Sequence, residues 1–425
     1  MAALVLIVLP IVLLLLGIPI FVALIAAASI GVVALNIGTM DPVHISLFGS
    51  LENFPLLAVP LFIFAGEIMG RGGIARRLVE WVLSIVGGVR GSLALATLAS
   101  SELFGSMSGS SVGCVAAIGR LMIPELTRRG YTSVFSGSLI ASCGAIATII
   151  PPSITMIIYG VAAQQSVPKL FLAGIVPGIL IGVLVSIYLL IYARINLVPL
   201  TDPLRWRNVW QSTRDAVWSV VAPVVILGGI YGGIFTPTEA AGIACFYAIV
   251  IARFVYREMT WRELWHTAVN SARIIAQIMV IVSAAGAYSW VVTTSGFPNL
   301  LVDTIAGLQL EKWSLLLIIN VVLLFIGTVL EPPAAILILT PLLAPLVAQA
   351  GVDPIHFGII FTVNLAVGML IPPFGLNLFA THALFGIPLG QLYRGVAPFI
   401  AIYLVALALI TYVPWITLVP LRLLW

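Results

Sequence analysis

Seven consecutive residues, Gly105-Ser-Met-Ser-Gly-Ser-Ser111, set four hydroxyls and two glycines between two apolar arms. Further along, Ile150-Pro-Pro-Ser153 snaps a second apolar run in its middle. Hydroxyls, unpaired main-chain N–H groups and unpaired carbonyls can hold a small anion or a small cation. They cannot by themselves make or break a covalent bond. An intramembrane enzyme would need paired catalytic groups such as HExxH, DDxxD or a Ser/His pair, and none appears; Ser153 has no base near it along the chain. These residue types favour binding over catalysis.

The elements that must position them are helices in lipid. At 61% hydrophobic, 8% charged and a mean hydropathy of +1.20, the chain reads as an all-α polytopic membrane protein. Its net charge of +4 comes from arginines scattered over loops rather than gathered on one face, so no nucleic-acid partner is expected. Cys114, Cys143 and Cys245 lie in apolar runs without a CxxC spacing, which argues against a disulfide framework or a cysteine metal site. In lipid, freed backbone groups find no water, so broken helices are tolerated only where protein buries them or where they line a cavity. Such interruptions at matching positions of two halves mark a transporter's binding site.

The second half is present. Sliding the chain against itself by 221 residues puts Pro124 on Pro345, Gly130 on Gly351 and Gly137 on Gly358. The same gapless register puts Pro151-Pro152 on Pro372-Pro373, Gly174 on Gly395 and Pro177 on Pro398. That agreement is a repeat. The chain is expected to divide into a first repeat over 1–198, a linking loop and helix over 199–236, and a second repeat over 237–425.

Within the first repeat, Met1 to Asn36 reads as one retained transmembrane helix rather than a signal peptide. Residues 71–90 mix charges with Leu, Val and Trp81, the pattern of a helix lying in the interface plane. Residues 91–124 form a hairpin whose arms, about 14–16 residues or roughly 21–24 Å each, fall short of a ~30 Å hydrocarbon core. The arms are therefore expected to enter and leave on one side, as a re-entrant hairpin. A broken helix over 135–164 follows. The second repeat offers a hairpin over 313–349 and a broken helix over 354–385.

Charge tests the layout. With the amino terminus cytoplasmic and the carboxyl terminus periplasmic, one side receives sixteen arginines and the other only Lys169, Lys312 and Arg422. A single crossing between the halves makes the repeats upside down relative to each other.

Six motifs now amount to a resemblance: Ser108-Gly-Ser-Ser-Val112, Ile150-Pro-Pro-Ser-Ile154, Thr236-Pro-Thr-Glu-Ala-Ala241, Glu331-Pro-Pro-Ala-Ala-Ile-Leu-Ile-Leu-Thr-Pro341, His356-Phe-Gly-Ile-Ile360 and Pro372-Pro-Phe-Gly-Leu-Asn-Leu-Phe379. In this order, from first helix to last, the chain resembles the large membrane subunit of TRAP (tripartite ATP-independent periplasmic, DctM-like) transporters. The resemblance implies sodium-driven import of an organic acid, a C4-dicarboxylate or related carboxylate, across a bacterial or archaeal inner membrane. It implies two partners, a small DctQ-like membrane subunit and a DctP-like periplasmic binding protein, and an elevator motion of the hairpins and broken helices. It implies no cofactor beyond Na⁺ as coupling ion. A stand-alone sodium/carboxylate symporter is the alternative reading, and an intramembrane enzyme the distant one.

Candidate substrate and sodium contacts follow. At the first tip they are Ser108, Gly109, Ser110 and Ser111; at the first break, Ile150, Pro151, Pro152 and Ser153. The second tip offers Gly327, Thr328, Glu331 and Pro332, and the second break Pro372, Pro373, Gly375 and Asn377. The amino-terminal end of each second arm points free N–H groups and positive dipole at a carboxylate. Main-chain carbonyls near the breaks suit Na⁺. Tip serines can equally cap the second arm, and Pro-Pro can be a packing kink. Glu67 is expected to snorkel or pair with an arginine, His382 to be a satisfied core histidine, and Glu102 either to line the cavity or to neutralise a neighbour. No Lys or Arg lies within the tips or breaks, nor in Ala284 to Thr294, where sialic-acid members of the family are expected to carry an arginine.

Overall fold

The computed structural model describes residues 2–200, 205–307 and 310–424, and every regular element among them is helical. Among the described residues, eight helices are long and apolar enough to cross a membrane. The helix boundaries repeat in the register of the sequence: a shift of 221 residues carries Ser111–Arg128 onto Pro332–Gln349 and Ser133–Ala147 onto Pro354–Gly368. Each half also holds a cis Pro-Pro peptide, Pro151-Pro152 and Pro372-Pro373, at its mid-helix break.

One set of helices packs around Trp261–Thr294, which lies against Ile20–Ala34, Asp41–Gly49 and Ala58–Arg71. Pro237–Val250 joins it on Ala58–Arg71, and Trp206–Tyr231 pairs with Ile74–Ile85. The other set contains the hairpins Ser92–Ser108/Ser111–Arg128 and Lys312–Val329/Pro332–Gln349, together with both broken helices. Each broken helix serves both hairpins. Ser133–Ala147 packs on the first hairpin, while its continuation Ile154–Ala162 packs on Pro332–Gln349. Pro354–Gly368 packs on the second hairpin, while Leu376–Phe385 packs back on Ser111–Arg128 and Ser133–Ala147.

Several elements differ from the sequence expectation. The first apolar stretch is not one helix: Leu9–Leu15 ends at a turn through Gly17 and Pro19 before Ile20–Ala34 begins. Gly17 has φ 80° and Pro19 has no N–H to donate, so together they break the run. The hairpin arms are longer than expected, 17 and 18 residues in the first and 18 in each arm of the second. Ser111–Arg128 runs straight through Pro124. Eighteen residues span about 27 Å, so arm length does not decide re-entrance. Contacts at the tips do, as described below.

Ile74–Ile85 was expected to lie on the membrane interface. Its apolar side, Ile74, Leu78 and Val82, is instead buried within the protein. Trp81 Nε1 donates to Thr213 Oγ1 at 3.0 Å, and the Ser212 and Ser84 hydroxyls meet at 2.6 Å. Its polar side grips the loop before Trp261–Thr294: Arg76 and Arg77 both donate to Glu258 Oε1, at 2.5 and 2.6 Å. Burial alone would raise the Glu258 carboxyl, but the hydrogen bonds from Arg77 and Arg76 outweigh it and hold the group below its ordinary value.

A carboxyl depressed in the fold adds stability above its unfolded pKa and loses it as pH falls through the folded one. The melting temperature of the detergent-solubilised protein is therefore expected to drop as pH falls below about 5. Glu258→Gln should flatten that acid limb and cost about 1 kcal/mol at neutral pH, the pair being partly exposed. An unchanged acid limb in the variant would show that other carboxyls set it.

Candidate functional site

The site is built from two tips and two breaks. Ser92–Ser108 ends at Gly109, which has φ 59°, a conformation L side chains avoid. A Cβ on Gly109 would stand 2.7 Å from the Pro152 carbonyl oxygen and 3.3 Å from the Ile154 nitrogen. The first tip therefore sits on the first break, at the depth where that helix is interrupted. Ser110 caps the second arm, its Oγ accepting from Gly113 N–H at 3.2 Å. Ser111 Oγ donates to Asn377 Oδ1 at 2.6 Å, and Asn377 Nδ2 donates to the Ala141 carbonyl at 2.9 Å. Asn377 thus joins the second break to the first hairpin and the first broken helix.

Ser108 points elsewhere. It packs on Gly66 of Ala58–Arg71, where a Cβ would stand 2.7 Å from the Ser108 Cβ. Its Oγ is buried without a hydrogen-bond partner among the described residues. At the first break Pro151, Pro152 and Ser153 are buried, and Ile150 is partly so. Ser153 Oγ accepts from Met156 N–H at 3.3 Å and donates to the Thr148 carbonyl. Ser153 is therefore both a helix cap and a clasp across the break.

The second half repeats the plan with different chemistry. Gly327 at the end of the Lys312–Val329 arm touches Gly368, where a Cβ would stand 2.5 Å from the Gly327 carbonyl carbon. Here too the tip reaches a break. Thr328 Oγ1 donates to the Phe325 carbonyl at 2.7 Å, so its hydroxyl is spent within its own helix. Pro332 is buried in the first turn of the next arm. Glu331 precedes it, exposed, at the capping position without a side-chain cap bond. Unlike its counterpart, the second break is open: Pro372, Pro373 and Phe374 are exposed. Gly375 has φ 59°, Asn377 N–H closes on the Met369 carbonyl at 3.1 Å, and Tyr393 Oη donates to the Pro373 carbonyl at 2.6 Å.

A buried polar chain in the second half escaped the sequence reading. Asn364 Nδ2 donates to Asn320 Oδ1 at 2.7 Å, and Asn320 Nδ2 to Thr411 Oγ1 at 3.1 Å. His356 Nδ1 meets Thr417 Oγ1 at 2.7 Å. Together they tie the second hairpin and broken helix to the last two helices. Asparagines inside apolar runs were the available signal. Glu67 pairs with Arg71 at 3.2 Å as expected. His382 is satisfied by the Ile387 carbonyl at 2.8 Å, though on an exposed surface rather than in a core.

Two hairpins aimed at two helix breaks, in an all-helical chain with eight apolar spans, define the class: a polytopic membrane carrier. The chain belongs to the DctM component family of tripartite ATP-independent periplasmic transporters, whose sequence profile matches residues 7–416. It is a transporter permease and not an enzyme. It is 40% identical, over 88% of both chains, to the C4-dicarboxylate TRAP transporter large permease protein DctM of Pseudomonas aeruginosa. It is 42% identical to the isethionate TRAP transporter permease protein DctMQ of Oleidesulfovibrio alaskensis, over 94% of this chain and 63% of that one. To the ectoine/5-hydroxyectoine large permease UehC of Ruegeria pomeroyi it is 39% identical over 95% of each. Among solved structures, the Alcanivorax borkumensis YdaH transporter, described as having an unusual topology, shares the fold with a TM-score of 0.63 at 15% identity over 87% of each chain.

The geometry separates the tip serines. Ser111→Ala removes the donor to a buried amide oxygen and is expected to destabilise the protein by about 1–3 kcal/mol. Ser110→Ala removes a cap on a partly exposed tip and should cost about 1 kcal/mol. Thermal melts of the purified variants check the order; a larger loss for Ser110 would contradict the joint at Asn377.

Proposed function

We propose that this permease imports a small organic acid across the inner membrane, driven by the sodium gradient, with the hairpin-bearing helices moving past the remaining set as an elevator. The observation that carries the proposal is that both tips reach mid-helix breaks. There the amino-terminal end of the Ser111–Arg128 arm offers N–H groups to an anionic head, and the break carbonyls offer oxygens to Na⁺. Ser153, Thr328 and Asn377 hold the scaffold of the site with their side chains, leaving ligand contact chiefly to the main chain. Glu331, exposed at the second tip with no cation near it among the ion pairs of the described residues, is the single acid there and suits a co-ion.

The substrate is a compact carboxylate, a C4-dicarboxylate or a related acid. Relatives are named for C4-dicarboxylate, isethionate, 2,3-diketo-L-gulonate and ectoine, compounds that each carry a carboxylate or a sulfonate. A site that reads the head with main-chain dipoles tolerates that variety, and a periplasmic binding protein then selects the cargo. The fused DctMQ relative supports a small membrane subunit as the second partner. The arginine bias supports an amino terminus in the cytoplasm and a carboxyl terminus in the periplasm.

Uptake into proteoliposomes holding the permease and its small subunit, with loaded binding protein outside, is expected to stop when external Na⁺ is replaced by choline; undiminished flux rejects sodium coupling. Single cysteines replacing Ser110 and Glu331 should react with impermeant maleimide from opposite faces. Labelling of both from one face defeats the upside-down hairpins.

A further inference from the structure

One membrane-embedded acid has no part in the site described above. Glu102 lies on the Ser92–Ser108 arm, below the tip and behind the serines. Its Oε1 is buried and has no hydrogen-bond partner among the described residues. The carboxyl fits against Gly182 of Val167–Ile195, where a Cβ would stand 2.0 Å from Oε1 and 3.3 Å from Oε2. A side chain at that point would push the carboxyl out of its present position.

No cation answers it. None of the ion pairs among the described residues includes Glu102. On the helices packed against its arm, Arg71 is held by Glu67, Arg76 and Arg77 by Glu258 and Arg128 by Glu125, and Arg120, Arg194, Arg207, Arg214 and Asp215 are exposed; Lys169 stands near the other end of Val167–Ile195, roughly 20 Å along the helix from Gly182. The titratable groups in electrostatic reach are Cys143 of Ser133–Ala147 and Tyr403 of Leu389–Tyr412, with Cys114 of the second arm beside them. All three are ordinarily neutral, and two of them donate elsewhere: Cys114 Sγ to the Ser101 carbonyl at 3.7 Å, Tyr403 Oη to the Ser142 carbonyl at 2.6 Å. A carboxylate here would be stripped of water and unpaired, the arrangement that proteins avoid by neutralising the group.

We propose that Glu102 is a proton-binding site built into the back of the first hairpin. With the arm closed on Val167–Ile195 it is –COOH. When the helices part enough for water to enter, –COOH gives –COO⁻ and one H⁺ passes to that water. The closed packing then cannot re-form until the proton returns, so proton concentration governs how firmly the hairpin is seated.

The test is infrared difference spectroscopy on the full chain in lipid nanodiscs, wild type minus Glu102→Gln. At neutral pH the difference should contain the C=O stretch of a neutral carboxylic acid, lost on alkaline titration as a carboxylate band grows. A carboxylate band already present at neutral pH overturns the proposal. If Glu102→Gln does not fold, Glu102→Asp gives the same reading, since it shifts the acid band without abolishing it; no shift anywhere in the acid region overturns it equally. This measurement does not depend on the transport reading. The link to hairpin movement rests on that reading and is tested by uptake: wild-type flux should fall with rising pH while Glu102→Gln stays level. The same alkaline decline in both would remove that link.

Discussion

Every interruption of a helix inside a bilayer frees N–H and C=O groups that the surrounding hydrocarbon cannot satisfy. Four such interruptions meet in this fold, two hairpin tips and two Pro-Pro breaks, and they answer one another. Gly109 lies on Pro152 and Gly327 on Gly368, each contact so close that a methyl group would not fit. Side chains then clasp what the tips leave: Ser153 takes the Thr148 carbonyl, and Tyr393 takes the carbonyl of Pro373. The rest of the fold serves to hold tips against breaks.

The crosswise packing of the broken helices follows from that demand. Because Ile154–Ala162 leans on the second hairpin and Leu376–Phe385 on the first, neither half can keep its own site without the other. Asn377 makes the dependence specific, since it bonds both Ser111 and the Ala141 carbonyl across the repeat boundary. The halves are nonetheless not chemically equal. The first break is buried and the second exposed; the first tip carries a capping serine, the second a free carboxylate at the matching position. One backbone plan thus presents two different chemical environments.

The family likeness and the geometry bear on different statements. Membership in the DctM component family rests on a match over nearly the whole chain. Where oxygens and N–H groups converge rests on tip-to-break contact. The long apolar arms by themselves permit full crossing, and only the glycine contacts bring the tips to mid-helix depth.

Much of this was legible in the residues. A helix cannot pass Pro-Pro unbroken, so the breaks and their repetition at a fixed shift follow from covalent geometry, and hydropathy dictates an all-helical membrane chain. The capping role of Ser110 was readable too, because it depends only on the next few residues. What the sequence could not reveal depends on neighbours distant along the chain. Ser108 turns to Gly66, Asn377 to Ser111 and Glu102 to Gly182, and no local pattern encodes which way a small side chain will face. The length of the arms and the Gly17–Pro19 interruption lie beyond local pattern for the same reason: a proline inside a packed helix can be tolerated, whereas a glycine-proline turn in an apolar run reads as continuous until its partners are known. Propensity acts over a few residues, while packing acts over the whole fold, and at this site packing decides.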